Sequence, residues 1–317
     1  MRFVRKRVLQ LLLVLLAVTF LSFVMINLLP GDTARAVCGI SCNEQAYQQT
    51  RHELGLDKPI VVRYGIWLKD MATGDMGKSA TNQQPVATAL SQRLPVTLEL
   101  LIYSEIIALV LAIPIALLAA QRAGSKFDRA STTVAFGMLS VPDFVVGILL
   151  ILIFAVNLGW FPVTRQTAFF QDPIGNLHDM FLPALTLAFG EMAVYMRLLR
   201  TDLISTLQED YVTMAKAKGI SQRRVLLRHA FRPSSFSLVT VIGLDMGRLI
   251  GGAFIVETLF ALNGIGSYIV TSIFSRDYIP VQGGVVLVAV GYVLINFGVD
   301  MLYAVIDPRI RHARALA

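Results

Sequence analysis

The residue types of a nucleotide site occur at Ala72-Thr-Gly-Asp-Met-Gly77-Lys78-Ser79. The spacing matches a relaxed phosphate-binding loop with Ala in place of the first Gly. Such a loop works when it follows a strand and opens a helix, so that successive backbone N–H groups converge on the phosphates. The preceding Trp67-Leu-Lys-Asp-Met71 does not read as a buried strand, and the match is set aside. Cys38 and Cys42 are the only cysteines. In an oxidising compartment they close a small loop as a disulfide; otherwise they remain two thiols. Without a nearby His they make a poor zinc site. His52, His178, His229 and His312 are scattered, and neither Gly-x-Ser-x-Gly nor His-Glu-x-x-His occurs. No catalytic residue and no metal site are assigned.

The remaining polar candidates lie inside apolar runs: Glu99, Glu105, Asp143, Glu191, Asp245, Arg248, Asn296 and Asp300. Ionisable groups at membrane depth face the bundle interior or an aqueous path, so these residues are candidates for lining a polar translocation route. A structural reading stands beside it. Asp245 and Arg248, three apart on one helical face, neutralise each other.

These residues must be positioned by membrane helices. Of 317 residues, 55% are hydrophobic and 15% charged, and the mean hydropathy is +0.65. That composition belongs to an integral membrane protein and excludes a disordered or fibrous chain. Six runs approach or exceed the roughly 20 residues needed to cross about 30 Å of hydrocarbon. They cover 8–28, 96–120, 130–158, 182–199, 238–256 and 285–306. Pro114 predicts a kink in the second, and Val141-Pro142-Asp143 a break in the third. A central charge costs roughly 2.5–3.5 kcal/mol, which a run of Leu, Ile, Val and Phe offsets at about 0.3–0.6 kcal/mol each. The sixth run tolerates Asp300 on that basis. The fifth, with Asp245 and Arg248 together, belongs inside the bundle. Its Gly243, Gly247 and Gly251 recur every four residues, as close helix packing requires.

Orientation follows from Lys and Arg. Segments 1–7, 121–129, 197–233 and 307–317 carry 18 of them, against 9 in 29–95, 159–181 and 257–284. The positive-inside rule therefore puts both termini in the cytoplasm. It also accounts for the net charge of +7 without a nucleic-acid partner, and puts Gly77-Lys78-Ser79 outside the cell, where no ATP is expected. The start of the chain resembles a signal peptide, with Arg2, Arg5, Lys6 and Arg7 before an apolar run. That run is 21 residues long, whereas a signal core has about 7–15, so it is read as an uncleaved first helix.

Between the fourth and fifth runs lies the basic segment Glu209–Pro233, EDYVTMAKAKGISQRRVLLRHAFRP. It is shorter than the roughly 50 residues from which domains start. Gly219 followed by Ser221 predicts a helix stop and a new N-cap, so two short helices meet at a bend surrounded by Lys216, Lys218, Arg223, Arg224 and Arg228. One reading is a basic loop near anionic lipid; the other is a protruding helix that docks into a partner's groove.

Nine pieces in shared order carry a resemblance over nearly the whole chain: Leu29-Pro-Gly-Asp32, Leu54-Gly-Leu-Asp-Lys-Pro59, Gly74-Asp-Met-Gly-Lys-Ser79, Leu94-Pro-Val-Thr97, Ser140-Val-Pro-Asp-Phe144, Asp210-Tyr-Val with Ala215-Lys-Ala-Lys-Gly219, Val256-Glu-Thr-Leu-Phe260, Arg276-Asp-Tyr-Ile-Pro-Val-Gln-Gly283 and Asp307-Pro-Arg-Ile-Arg311. The chain resembles the long-first-loop permease subunit of ATP-binding-cassette importers for dipeptides, oligopeptides and nickel. The resemblance implies an all-α integral membrane fold of six transmembrane helices, the type I importer permease fold with cytoplasmic coupling helices. It implies a first helix at 1–28, an external loop region at 29–95, a five-helix core at 96–306 holding a coupling segment at 201–233, and a cytoplasmic tail at 307–317.

The resemblance implies coupling to an ATPase through Asp210, Tyr211, Ala215, Lys216, Ala217, Lys218, Gly219 and Arg223. Of the broader Glu-Ala-Ala pattern only Ala215 is kept, and Asn263 stands where similar chains tend to have Pro. The implied function is passage of peptides, with nickel or another small solute as the alternative cargo, and with a secondary transporter or channel as the alternative class. The implied partners are a second permease subunit, two cytosolic ATPase subunits, an extracytoplasmic substrate-binding protein and the lipid bilayer of a bacterial cell membrane. No cofactor is expected in this chain, ATP and Mg residing on the partner subunits.

Overall fold

The computed structural model describes residues 2–28, 38, 43–53 and 57–306; side chains are described from residue 9 to 25 of the first helix, and those of Arg248 and Asp300 lie outside the described residues. In chain order the helices are α1 (Arg2–Leu28), α2 (Glu44–Glu53), α3 (Ile60–Ala72), α4 (Val86–Gln121), α5 (Lys126–Leu139), α6 (Asp143–Leu150), α7 (Pro173–Leu207), α8 (Asp210–Ala217), α9 (Gln222–Arg224), α10 (Phe231–Leu259), α11 (Ile265–Phe274) and α12 (Tyr278–Ile306). α6 continues as a π-helical segment over Ile151–Asn157, and α9 as one over Val225–Ala230. No strand occurs among the described residues.

Three of these helices are long and apolar enough to cross a membrane, or five when each of two bent pairs is one span. With α1, whose apolar stretch is Leu9–Met25, each of the six runs has a helical counterpart. The break at Val141-Pro142-Asp143 is real. α5 and α6 with its π segment meet there at 101°, because Pro142 cannot donate a helical hydrogen bond and Asp143 starts a new helix behind it. Two expectations are corrected. α4 starts at Val86, ten residues before the apolar run, because its first turns are amphipathic rather than apolar. The fifth run bends by 53° between Gly247 and Leu249, at a glycine, which costs helix propensity and invites a bend.

The chain forms two compact units, 1–97 with 263–317, and 98–262. In the first, α12 packs on α1 and α11, and α3 on α1. The long segment 29–95 thus contains helices. α3 is seated by Tyr64, which packs edge-on to Phe20 at 5.2 Å and Phe23 at 5.7 Å and shares a 2.8 Å hydrogen bond with Thr19.

The turn between α3 and α4 explains the false phosphate loop. A helix, not a strand, precedes it. An antiparallel bridge joins Lys78 to Pro85, and Gly77 adopts φ +74°, a left-handed conformation cheap only for glycine. N–H groups do converge on an anion, but that anion is the chain's own. Asp277, 3% exposed, accepts from the Ser79 hydroxyl at 2.5 Å, the Ala80 N–H at 3.1 Å and the Thr81 N–H at 3.2 Å. Gly283 leaves room for this seating, since a Cβ there would lie 2.8 Å from Val86 Cγ1. At the far end of the same stretch, Thr97 Oγ1 accepts the Ile265 N–H at 2.9 Å and satisfies an orphan donor of α11.

In the second unit α7 is the central helix. α5, α6 and α10 pack against it. Ala108, Ala112, Ala116 and Ala120 place one small side chain per turn of α4 in the apolar cluster with Tyr195, Met196 and Leu199 of α7, a spacing that permits close helix approach. Asp128 at the start of α5 receives both Arg200 Nε and, at 2.7 Å, Arg200 Nη2, with the Gly124 N–H at 2.8 Å. At the other end of α7, Asp179 accepts Arg165 Nε at 2.9 Å, the Thr167 hydroxyl at 2.7 Å and the Thr167 N–H at 3.1 Å. The two carboxylates pin the segments on either side of the broken span to one helix.

Replacement of Asp277 by Ala removes a charged acceptor from three donors and costs about 2 kcal/mol of local stability. Hydrogen exchange at the Ala80 and Thr81 amides then speeds roughly 30-fold at 1.4 kcal/mol per decade. Exchange equal to that of the unaltered protein contradicts the assignment.

Candidate functional site

The basic segment folds as the sequence requires at Gly219. α8 opens with Asp210 in its first turn and carries Lys216 in its last, both favourable to the helix dipole. Gly219 then takes φ +77°. The Gly219 N–H bonds to the Lys216 carbonyl at 3.0 Å and the Ile220 N–H to the Ala215 carbonyl at 3.3 Å, the two reversed hydrogen bonds of a Schellman stop. Ile220 closes over Val212, Ala215 and Val225, so Ala215 is kept small by its own hairpin. Ser221 precedes α9 as expected, but its hydroxyl makes no capping bond. Its carbonyl instead accepts the Val225 N–H at 3.0 Å.

The hairpin buries little and displays much. Val212, Ala215, Val225 and Leu226 are buried, whereas Asp210, Tyr211, Met214, Lys216, Ala217, Lys218, Arg223, Arg224, Leu227 and Arg228 are exposed. Tyr211 also donates to the His229 carbonyl at 3.1 Å, which ties α8 to the π-helical segment. Burial, and then the Glu209 carboxylate, push its phenol above the usual value. The result is a stiff bend with an apolar and cationic outer face.

The intramembrane candidates separate into distinct places. Glu105 of α4 meets Tyr195 of α7, whose hydroxyl donates to Glu105 Oε2 at 3.1 Å. Glu191 lies one turn before Tyr195, and Glu191 and Asp245 are electrostatic neighbours of that tyrosine. Three of the eight candidates therefore gather where α4, α7 and α10 meet. Glu99 belongs to another network: it accepts from Asn176 Nδ2 at 3.0 Å, and Asn176 Oδ1 accepts from Tyr103 at 2.8 Å.

Asp143 heads α6 at the broken span. Its oxygens lie 3.3 Å and 3.9 Å from where a Cβ on Gly190 or Gly252 would stand. The close-packing glycine on α10 is thus Gly252; a Cβ on Gly251 would meet nothing within 4 Å, since one helical position turns the side chain by about 100°. Asn296, in α12, donates at 2.9 Å to the Tyr292 carbonyl of its own helix. The side chains of Arg248 and Asp300 lie outside the described residues, so the pairing of Arg248 with Asp245 has no geometry here. Cys38 is disulfide-bonded, and Cys42 lies outside the described residues.

Sequence reading missed Tyr195, Asp277, Asp128 and Asp179. Tyr195 had a signal, the i, i+4 spacing from Glu191. The aspartates had none, because Asp128 and Arg200 are 72 residues apart and Asp277 and Ser79 are 198.

The bent-span bundle with its exposed basic hairpin is that of a multi-span membrane protein. Family comparison agrees. Residues 112–312 match the binding-protein-dependent transport system inner membrane component, and residues 1–101 match the N-terminal part of such membrane components. The chain belongs to this family. It is 36% identical to an oligopeptide transport system permease protein of Bacillus subtilis, to a di/tripeptide transport system permease protein of Pseudomonas aeruginosa and to a glutathione transport system permease protein of Escherichia coli. Each similarity covers 98% of this chain and 99% of the relative.

Replacing Gly219 by Ala forces a side chain into the left-handed region and costs about 1 kcal/mol; Asn costs less. Pro, whose φ is fixed near −65°, abolishes the stop. Amide exchange at Ile220 reads the series, and the order Gly, Asn, Ala, Pro in rising exchange is expected. Equal exchange in Gly219→Pro would show that the hydrogen-bonded stop does not exist.

Proposed function

We propose that this chain forms half of the transmembrane pathway of an ATP-driven importer for di- and oligopeptides. The observation that carries the proposal is end-to-end similarity to permeases named for such cargo, in a chain whose exposed hairpin suits docking. Its partners are a second permease subunit, forming a heterodimer, two cytosolic ATPase subunits and an extracytoplasmic substrate-binding protein. ATP and Mg are bound by the ATPases. The protein resides in the bacterial cell membrane with both termini in the cytoplasm, as the 18 to 9 distribution of Lys and Arg favours.

In this reading the chain moves rather than reacts. Closure of the ATPase pair draws the hairpins at Gly219 together and swings the bundles from inward-open to outward-open, a rigid-body transition. A stiff bend transmits force better than a flexible loop, which is what the Schellman stop and the Tyr211 to His229 bond provide. Tyr211, Met214 and Leu227 supply apolar contact, and Lys216, Lys218 and Arg223 direct the hairpin to an acidic groove. The loaded binding protein favours the outward state and releases peptide into the pathway, with 29–95 among its contacts.

Charge reversal at both Lys216 and Lys218 is expected to leave membrane insertion intact and to lower ATP-driven dipeptide uptake at least roughly tenfold, the equivalent of 1.4 kcal/mol. Uptake into vesicles holding the complete importer and its binding protein measures this. Undiminished uptake by a normally inserted Lys216→Glu, Lys218→Glu protein rejects the docking role.

A further inference from the structure

A cavity of about 220 Å³ lies where α4, α5 and α7 meet, and no residue of the basic hairpin lines it. α5 supplies Phe127, Ala130, Val134 and Met138, whose spacing of three and four residues puts them on one helical face. α7 adds Met192 and Met196, and α4 adds Ile115. Ala135 and Ala193, each 1% exposed, are the small residues between these larger ones. The cavity is an open cleft rather than a sealed void, since Phe127 is 41% and Val134 60% exposed.

The lining decides what can enter. Its one polar side chain, Ser131, already donates to the Asp128 carbonyl at 3.0 Å. A trapped water needs about 2–4 polar partners and does not find them here. A peptide backbone would leave N–H and C=O groups unpaired against such walls. An empty cleft forfeits dispersion contacts along its length. A flexible hydrocarbon chain restores them, and the unbranched methionines adapt to its path.

Cations gather at one end of the same helices. Arg122 follows Ile115 by seven residues, which returns it to that face of α4, and its N–H continues the helix by bonding to the Leu118 carbonyl at 3.2 Å. Lys126 immediately precedes Phe127 in the first turn of α5. Arg122 and Lys126 are both exposed, and neither forms an ion pair among the described residues. Asp128 is the one acid between residues 121 and 139. It is already met by the Arg200 guanidinium and the Gly124 N–H.

We propose that this cleft is a phospholipid site, holding one acyl chain of an anionic lipid whose phosphate rests on Arg122 and Lys126. An apolar body with a cationic end matches the two halves of that molecule, as basic pockets between membrane helices match anionic headgroups. A neutral phospholipid would meet the walls equally well but not the cations. The occupant bridges α4, α5 and α7, so it belongs to the support of the broken span. The site goes beyond the transport reading and is independent of what is carried.

The test uses the complete membrane complex in phosphatidylcholine vesicles containing phosphatidylglycerol with a photoactivatable acyl chain. Cross-linked peptides are mapped by mass spectrometry, and labelling is expected on the 126–139 segment. Ala130→Trp, at an exposed lining position, fills the cleft and is expected to abolish that labelling. Arg122→Gln with Lys126→Gln leaves the walls intact and is expected to lower it about tenfold. Equal labelling by the same probe built on phosphatidylcholine overturns the choice of an anionic lipid. Labelling unmoved by Ala130→Trp overturns the cleft as the site. Absence of labelling on α5 in the complex shows that another subunit covers the cleft and also overturns the proposal. These readouts need neither ATP nor cargo, so their failure is distinguishable from failure of the transport reading.

Discussion

A chain in hydrocarbon must satisfy its own backbone N–H and C=O groups, and nearly everything in this architecture follows from that constraint. Helices meet it without help. The main departure from helix, at Ser140–Asp143, is exposed, while the Asp143 carboxylate lies beside the positions of Gly190 and Gly252. The break between α5 and α6 turns the chain by 101°, and the bend in α10 at Gly247 by 53°. Both fall on the helices that pack on α7, whose long, mostly buried face gives them a common support.

The same scarcity of water governs the charged side chains. A buried carboxylate is stable only with its hydrogen bonds supplied. Asp277 takes them from a turn that imitates a phosphate loop, Asp128 and Asp179 from arginines and backbone amides. Each thereby fastens a connecting segment to a helix. Just after the motif at 74–79, the Ala80 and Thr81 N–H groups join the Ser79 hydroxyl around an internal carboxylate. The hairpin at Gly219 is held by backbone hydrogen bonds and the Tyr211 hydroxyl, and its charged side chains face outward.

Much of this was legible in the chain. Long apolar runs announce spans because length and composition decide them residue by residue. Gly219 announced its stop because a left-handed residue is a local requirement, and Pro142 its break for the same reason. The failures share a cause as well. Gly251 suggested a close contact that falls to Gly252, because that contact depends on how neighbouring helices are rotated. α3 was hidden in a segment read as loop, since its seating relies on Phe20 and Phe23 of a distant helix.

The sequence by itself determined the class of protein, the six apolar runs, the basic hairpin and its bend, because these rest on local periodicity, composition and one glycine. Tertiary structure alone decided that Asp277 closes the 79–81 turn, that Glu105 meets Tyr195 rather than an arginine, and that Arg200 and Arg165 serve Asp128 and Asp179. Charges and hydroxyls carry no mark of which partner lies tens of residues away. Only the packing of the helices brings them within hydrogen-bond distance.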